Sequence, residues 1–480
     1  MKNGLNCKRK LLFLMFWTFI FTGIHAQPNL AFYHFNDQFN SFDYNPAFLT
    51  SYEKFTFSIF PLGGSSVGLN NQEVVRDITS KFLTGVPNTQ DYENAFNKIV
   101  SQSFSHQNAE SSLLSFTYRS EFGFFNFRIK ESEYLVGSTE GELTKFIFKS
   151  DKQSVPLNQI QHLPGQAVHY REYSLGYSYK SPSNKFSAGI RAKVYFGKAA
   201  LFSDISGSVQ KEPDPPNNYV LKTSGSINVS YPDFIYNNNF PQNNTINKIK
   251  SIKKYVMNTS NPGMGVDLGI KYQVMPNLTL SVSIIDLGKI KWKTNTQTLN
   301  LEPEYKLPNS KPDTTSYYST IDFGKFYPSK KTFSKPLPTT VYAGIKYQVD
   351  PIFSIGIADR FVVIKDLSYN SFSVTGKLDV NKILSISTGY SIIANSYLNI
   401  PLALLFRGNF GQVYLGTDNF TAFLLPRYAE FAGVSVGACF YLFTKRNLHL
   451  KIPNYTPFYK PIKTIKNRKT GLTIKANQEY

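Results

Sequence analysis

The chain has 480 residues, 52 Lys and Arg against 32 Asp and Glu for a formal charge of +20, 41% hydrophobic residues and 15% aromatic residues. The basic residues are spread through the whole length with no compact basic-aromatic module, which excludes nucleic-acid recognition. After the N-terminal apolar run no segment approaches the ~18 consecutive apolar residues of a membrane-spanning helix.

Residues 1–26 place Lys2, Lys8, Arg9 and Lys10 before an apolar run from Leu11 to Phe21 and end in Gly23-Ile24-His25-Ala26. That order predicts a secretory signal peptide cleaved after Ala26, with Gln27 leading the mature chain. The alternative is an anchoring helix, but the run falls short of the ~20 residues that span a bilayer. Cleavage removes four positive charges and no acid, which leaves +16, and it removes Cys7 so that Cys439 stands alone. An exported chain without a cysteine pair draws its stability from something other than disulfides.

Strict alternation of apolar and small or polar residues then recurs, the signature of strands with two different faces. In 186–196, Phe186, Ala188, Ile190, Val194 and Phe196 oppose Ser187, Gly189, Arg191, Lys193 and Tyr195. In 263–274, Met264, Val266, Leu268, Ile270, Tyr272 and Val274 oppose Gly265, Asp267, Gly269, Lys271 and Gln273. A Met275-Pro276-Asn277 turn leads into Leu278, Leu280, Val282 and Ile284, opposed by Thr279, Ser281 and Ser283. Further alternation marks 341–349, 353–358, 372–380, 384–390 and 434–442, with weaker strands near 53–60, 111–119, 121–130, 168–180, 200–210, 219–231, 401–408 and 411–418. Many of these strands run nine to thirteen residues, longer than the roughly five or six usual in soluble sheets and long enough to cross a bilayer at a tilt.

The connections sort by length. Tight turns are predicted at 120–121, 182–184, 275–277, 350–351, 380–381 and 408–409, and long excursions at 61–110, 131–167, 232–262 and 299–337. Short on one side and long on the other is the pattern of a transmembrane antiparallel β-barrel, here all-β with 14 to 16 strands spanning 51–443. A soluble sandwich also alternates, but its solvated face carries more charge than the Gly, Ser and Thr face seen here. Two short loop helices are predicted where Val74, Ile78 and Phe82, then Tyr92, Phe96 and Ile99, recur at helical spacing, with a weaker candidate at 132–148. The Pro-, Lys-, Ser- and Thr-rich stretch 299–337 reads as an exposed loop, and the tail 444–480, with nine Lys and Arg against Glu479, as a basic extension.

Four motifs stand out: Asn45-Pro46-Ala47, Gly263 to Tyr272, Ser283 to Gly288, and Leu337 to Tyr347. Together they resemble the outer-membrane barrels of Bacteroidota related to the long-chain fatty-acid transporter (FadL) type and to barrels that accompany type IX secretion. The resemblance is to a subfamily of unassigned function and covers most of the mature chain. It implies a barrel of roughly 14 strands, an N-terminal plug-like segment over residues 27–50, and the cell outer membrane as its place. Outer-membrane lipid and lipopolysaccharide are then its surroundings, and the tail faces the periplasm. It carries over no substrate.

Within that frame Asn45, Pro46 and Ala47 form a plug motif, Pro46 biasing Asn45 to extended backbone. Asp267, Lys271, Arg191, Lys193 and Asp286 are candidate polar residues of the lumen. The glycines beside Asp267 leave room for it to pair with a lumen cation such as Lys271 or to fix the plug by hydrogen bonds. Asp286 lies before Gly288, where a glycine permits a bulge. The mature histidines, His34, His106, His162, His169 and His449, have no metal spacing, and no nucleophile elbow or phosphate loop occurs. No enzyme, cofactor or metal site is predicted. The function expected is a passive transporter or channel for an apolar or amphipathic solute. The alternative is a non-transporting barrel that docks a secretion or surface-attachment protein through its loops or basic tail, and a purely structural barrel comes third.

Overall fold

The structure, a computed structural model, describes residues 30–48, 54–70, 103–120, 123–139, 160–211, 219–232, 253–300, 304–307, 332–365, 367–381, 383–394, 396–425, 429–442, 464–466 and 473–475. Among them, fourteen antiparallel strands close into a ring. The first, β1, is interrupted (Phe55–Ile59 and Ser65–Asn70). It is followed by β2 (Ser103–Arg119), β3 (Phe124–Thr139), β4 (Gly165–Lys180), β5 (Phe186–Lys211), β6 (Asn261–Met275) and β7 (Leu278–Trp292). The second half is β8 (Thr339–Gln348), β9 (Phe353–Val363), β10 (Tyr369–Asp379), β11 (Leu384–Ile393), β12 (Leu402–Arg407), β13 (Gly411–Thr417) and β14 (Phe431–Leu442). Closure is made by β1, which pairs Phe55 with Leu442 of β14 on one side and with Tyr118 of β2 on the other. A closed ring leaves no strand edge unpaired, which a lipid environment demands of a sheet.

The turn chemistry sets one end. Asp350 Oδ1 accepts from the backbone N–H groups of Ile352 at 2.8 Å and Phe353 at 2.7 Å, and Asn381 Oδ1 does the same for Ile383 and Leu384, each at 2.8 Å. These Asx turns, with Asn184 in the left-handed region at φ 60°, keep the connections at this end to a few residues. The six tight turns expected from the sequence all lie there.

Alternation sets the two faces. Leu268, Ile270 and Tyr272 on β6, Ile345 and Tyr347 on β8, and Val374 and Leu378 on β10 all point outward and are exposed. Their neighbours Asp267, Tyr342 and Thr375 point inward and are buried. Near the short-turn end Phe55, Tyr118, Phe125 and Tyr177 run ring to ring across four adjacent strands at centroid distances of 4.7, 6.5 and 5.0 Å. Such an aromatic girdle below an apolar outer band belongs to a barrel that spans a membrane.

Four details differ from expectation. The described parts of 299–337, read as an exposed loop, include strands Glu304–Leu307, paired with Tyr219–Ser230, and Phe333–Pro336, paired with β7, and Leu299 is buried, because these residues extend the wall beyond the ring. Residues 132–139, read as part of a weak helix, continue β3, because Ser132, Tyr134 and Val136 keep the inward phase and pair with β4. The segments 186–196 and 200–210 form one 26-residue strand, whose far half leaves the ring to pair with Tyr219–Ser230. In β7 the pairing to β6 slips between Ile284 and Leu287, with Asp286 at φ 60°. Beyond this bulge the phase is inverted, so Ile290 and Trp292 point inward and are wholly buried. The helices expected at 73–82 and 92–99, most of the tail, and the segment 1–26 lie outside the described residues.

Candidate functional site: a plugged lumen with a charged belt

Residues 30–48 thread the lumen and are buried except for Asn36, Asp37 and Asp43, which are half-buried. Consecutive tight turns satisfy much of their backbone locally. Tyr33 N–H donates to Leu30 O at 3.0 Å, Phe35 N–H to Phe32 O at 2.8 Å, Gln38 N–H to Phe35 O at 3.0 Å, and Asp43 N–H to Asn40 O at 2.9 Å. That economy lets Phe32, Tyr33, Phe35, Phe39, Tyr44 and Phe48 pack against Tyr342, Leu405 and Tyr414 of the wall. Each such side chain contributes about 1.5–3 kcal/mol on burial.

Glycines seat the plug. Gly189 and Gly269 face each other across β5 and β6. A Cβ on Gly189 would overlap the Pro46 carbonyl and Ala47 N, and one on Gly269 would overlap Asn45 Oδ1. Asn45 Nδ2 donates to Ile270 O and Val282 O, each at 3.1 Å, while its Oδ1 accepts from Ala47 N–H at 2.8 Å. Ser178 Oγ donates to Pro46 O. The Asn45-Pro46-Ala47 motif is thus a turn clamped to three wall strands. Gly356 makes the same kind of room for the His34 ring.

Toward the short-turn end Asp37 meets Lys377 at 3.6 Å and Arg407, and Asp379 meets Lys377 at 3.0 Å. Burial works against the Asp37 carboxylate, but the charges of Lys377 and Arg407 overcome it and hold its pKa well below the usual carboxylate range. His34 goes the other way: burial first, then Lys346 and Lys377, push its imidazole down to about 3, so it is neutral.

At mid-height the plug enters a belt of ion pairs. Asp43 meets Arg191 at 3.1 Å and Arg128. Asp267 meets Arg191 at 3.3 Å and Lys193 at 2.9 Å. Lys193 also meets Asp286 at 2.6 Å and Glu172 at 3.3 Å, and Lys130 joins Glu172 at 3.7 Å to Glu110 at 3.1 Å. Burial opposes the charge on Asp43, and Arg128 and Arg191 outweigh it, so this carboxyl too is held below its ordinary range. The bulge residue Asp286 serves twice: its carboxylate accepts from Lys193 and from Tyr195 OH at 3.1 Å, and its N–H donates to Asp267 Oδ1 at 2.7 Å.

Four of the five lumen residues singled out from sequence therefore meet in this belt: Arg191, Lys193, Asp267 and Asp286. Lys271 does not. It lies four residues along β6 from Asp267, about 13 Å on an extended chain, between Ser187 and Ser281 of the flanking strands. Cross-strand register pairs Asp267 with Arg191 instead. Sequence reasoning missed Asp43, Glu110, Arg128, Lys130 and Glu172. For Glu110, Arg128, Lys130 and Glu172 the signal was present as charge on the inward parity of a spanning strand, alongside Ser112 and Ser174, whereas Asp43 lies on the plug turn outside any alternation.

Above the belt is an aromatic and aliphatic cluster that includes Tyr134, Val168, Tyr170, Phe202, Ile290 and Trp292. Between plug and cluster is a cavity of about 60 Å³, room for roughly four to six waters at about 10–15 Å³ each. Asp43, Glu110, Lys130, Arg191, Lys193 and Asp286 of the belt line it. So do Tyr134, Tyr170, Val362, Ile364 and Tyr369 of the cluster above, together with His106 and Arg360 beside Tyr369. Tyr369 OH lies 2.7 Å from His106 Nε2 and accepts from Arg360 Nη2 at 3.0 Å.

No curated protein matches the chain. Among solved structures it is similar to the P. putida toluene transporter TodX, at 9% identity and a TM-score of 0.37 over 82% of this chain and 92% of that one. It is similar also to the Ralstonia pickettii toluene transporter TbuX, at 10% identity and 0.34 over 82% and 90%. The monoaromatic hydrocarbon channel CymD stands at 12% identity and 0.35 over 87% and 94%. At these scores the likeness goes no further than general form. Residues 46–418, most of the chain, match the family of unknown function DUF5723, and the chain belongs to that family.

Proposed function

We propose that this chain is an outer-membrane barrel that passes an amphipathic solute past a displaceable plug. One observation carries the proposal: a single cavity is lined both by the charges of the belt and by tyrosines and aliphatic side chains of the cluster above. A solute with a polar head and an apolar body fits such a lining, head on the belt and body among the aromatics. A wholly apolar solute gains nothing from the charges of the belt, and a wholly polar one gains nothing from the cluster above. The cavity is too small to admit such a molecule while the plug is seated, so passage requires Asp43 and its turn to withdraw. The outer membrane as location rests on the apolar outer band together with the signal-peptide pattern of residues 1–26.

The tie of the plug to both the belt and the Asp37 cluster supports a second reading, a barrel held shut that docks a secretion partner. One experiment separates the two. Proteoliposomes of the purified chain are offered a fluorescent zwitterionic single-chain amphiphile and a neutral sugar of similar mass. Transport predicts saturable uptake of the amphiphile alone, weakened by Tyr170→Ala. Uptake of neither overturns transport in favour of docking.

A further inference from the structure

The wall is not of equal height all round. Strand β13 has seven residues, against 10 to 12 in β8–β11 and β14, and six-residue β12 is prolonged only by the separate short strand Ser396–Asn399, which pairs irregularly with β11. Seven residues at about 3.3 Å each, tilted by about 40°, rise about 18 Å, whereas the apolar band of such a barrel is about 25 Å tall. At this place the short strand Ser396–Asn399 and the segment 418–425, with one helical turn at Thr421–Leu424, face the upper part of the band.

Their chemistry fits that depth. Outward stand Tyr397, Leu398, Phe420, Phe423, Leu424 and Leu425, with Leu398 79%, Leu424 64% and Phe423 59% exposed. Within 396–401 and 418–425 the only charge is Asp418, which is buried and accepts from the Leu30 N–H of the plug at 2.9 Å, and Arg427 and Glu430 follow only in the remainder of the second connection. Irregular backbone is costly in hydrocarbon unless its polar groups are satisfied internally. Here Phe420 N–H donates to Ile400 O at 2.7 Å, Thr421 N–H to Asn419 Oδ1 at 3.1 Å, and Leu425 N–H to Thr421 O at 2.8 Å. Asn419 Nδ2 donates to Phe431 O at 2.9 Å, and Asn399 Nδ2 to Ser391 O at 3.2 Å and Ser396 O at 3.0 Å. Both asparagines are wholly buried. Two segments that satisfy these hydrogen bonds internally and whose exposed side chains are Tyr397, Leu398, Ile400, Phe420, Phe423, Leu424 and Leu425 are built for contact with acyl chains.

We infer that the segments 396–401 and 418–425 are immersed in the acyl chains of the leaflet at the long-loop end, where they complete the low wall beside and above β13. The occupant of this surface is lipid, because the patch is continuous with the lipid-facing residues Tyr390, Leu415 and Val436 of the adjoining strands. The inference is independent of what passes through the lumen.

The test places a tryptophan at the patch. Leu424→Trp and, on the other loop, Leu398→Trp are reconstituted in phosphatidylcholine bilayers, with Lys365→Trp, on a loop side chain 70% exposed, as the aqueous reference. Fluorescence is read as the difference from the parent chain. Lipid brominated along its chains is expected to quench the added signal at positions 424 and 398 at least two-fold, while aqueous acrylamide quenches it far less than at 365. Quenching like that at 365 places the loops in water and overturns the inference. Protection from both quenchers places another copy of the chain on the patch and overturns it equally. Heat-modifiable migration of each variant verifies that the barrel has formed, and the two positions serve as independent readings should one variant fail to fold.

Discussion

Replacing Arg191 with methionine keeps the side chain's bulk and removes a charge that ties the plug to two wall strands. The guanidinium contacts Asp43 Oδ1 at 3.1 Å, Phe42 O and Asp267 Oδ2 at 3.3 Å, lies 4.9 Å above the Phe42 ring, and is 2% exposed. Removing one partner of a buried ion pair costs about 3–5 kcal/mol, because the other charge is left behind. Asp43 keeps Arg128 and Asp267 keeps Lys193, which puts the loss at the low end, about 3 kcal/mol. Two of the three polar contacts run to the plug, so about 2 kcal/mol falls on plug seating; at about 1.4 kcal/mol per tenfold the unseated population rises roughly 30-fold. Hydrogen exchange followed by mass spectrometry, in lipid nanodiscs, reads this directly. Amides of 30–48 in Arg191→Met are expected to exchange roughly 30-fold faster, while those of β9 and β10 hold their parental rate. A double-mutant cycle with Asp43→Asn gives a coupling of about 1 kcal/mol or more. Parental protection of 30–48 in Arg191→Met would refute the ion-pair account of the seat.

Other perturbations probe the remaining parts. Gly189→Ala brings a Cβ onto the backbone of Pro46 and Ala47, which cannot swing aside, so the plug is expected to unseat while the barrel still forms. Gly137→Ala, whose Cβ meets nothing closer than 3.7 Å, is the matched control, and protease cleavage within 30–48 reads both. For His34 the sign follows from a pKa pushed down to about 3 in the seated plug. Between that value and the ordinary one near ~6.5 the released plug binds a proton that the seated plug does not. Seating therefore weakens as pH falls through this window, by up to about 1.4 kcal/mol per pH unit, and exchange of 30–48 at pH 4 against pH 7 shows it, with His34→Gln flattening the profile. On the outer face, Leu268→Arg is expected to cost about 2–4 kcal/mol of stability in bilayers, read as a lower denaturant midpoint. A midpoint like that of Leu268→Ile would mean that the outer band does not face lipid.

Much of the barrel was legible in sequence because period-two alternation is local. The apolar faces of β6, β8, β10 and β14 and the six tight turns follow from residues within a few positions of one another. What escaped depends on contacts far along the chain. No local rule places Ile290 and Trp292 inward, because alternation continued from Leu278 assigns the wrong phase once the bulge at Asp286 intervenes. The partners of Asp267 are set by the register of β5 on β6, which brings Arg191 opposite and leaves Lys271 out of reach. In the plug, the density of Phe and Tyr between Phe32 and Phe48 was visible, but only the glycines at 189, 269 and 356 reveal what it packs into.

The central claim is that residues 30–48 are what closes the lumen. Planar-bilayer conductance tests it most directly, comparing the whole chain with a variant lacking 30–48. The whole chain is expected to remain closed apart from rare brief openings, and the variant to show steady, large, ohmic conductance. Equal conductance from the two, whether open or closed, would contradict the account.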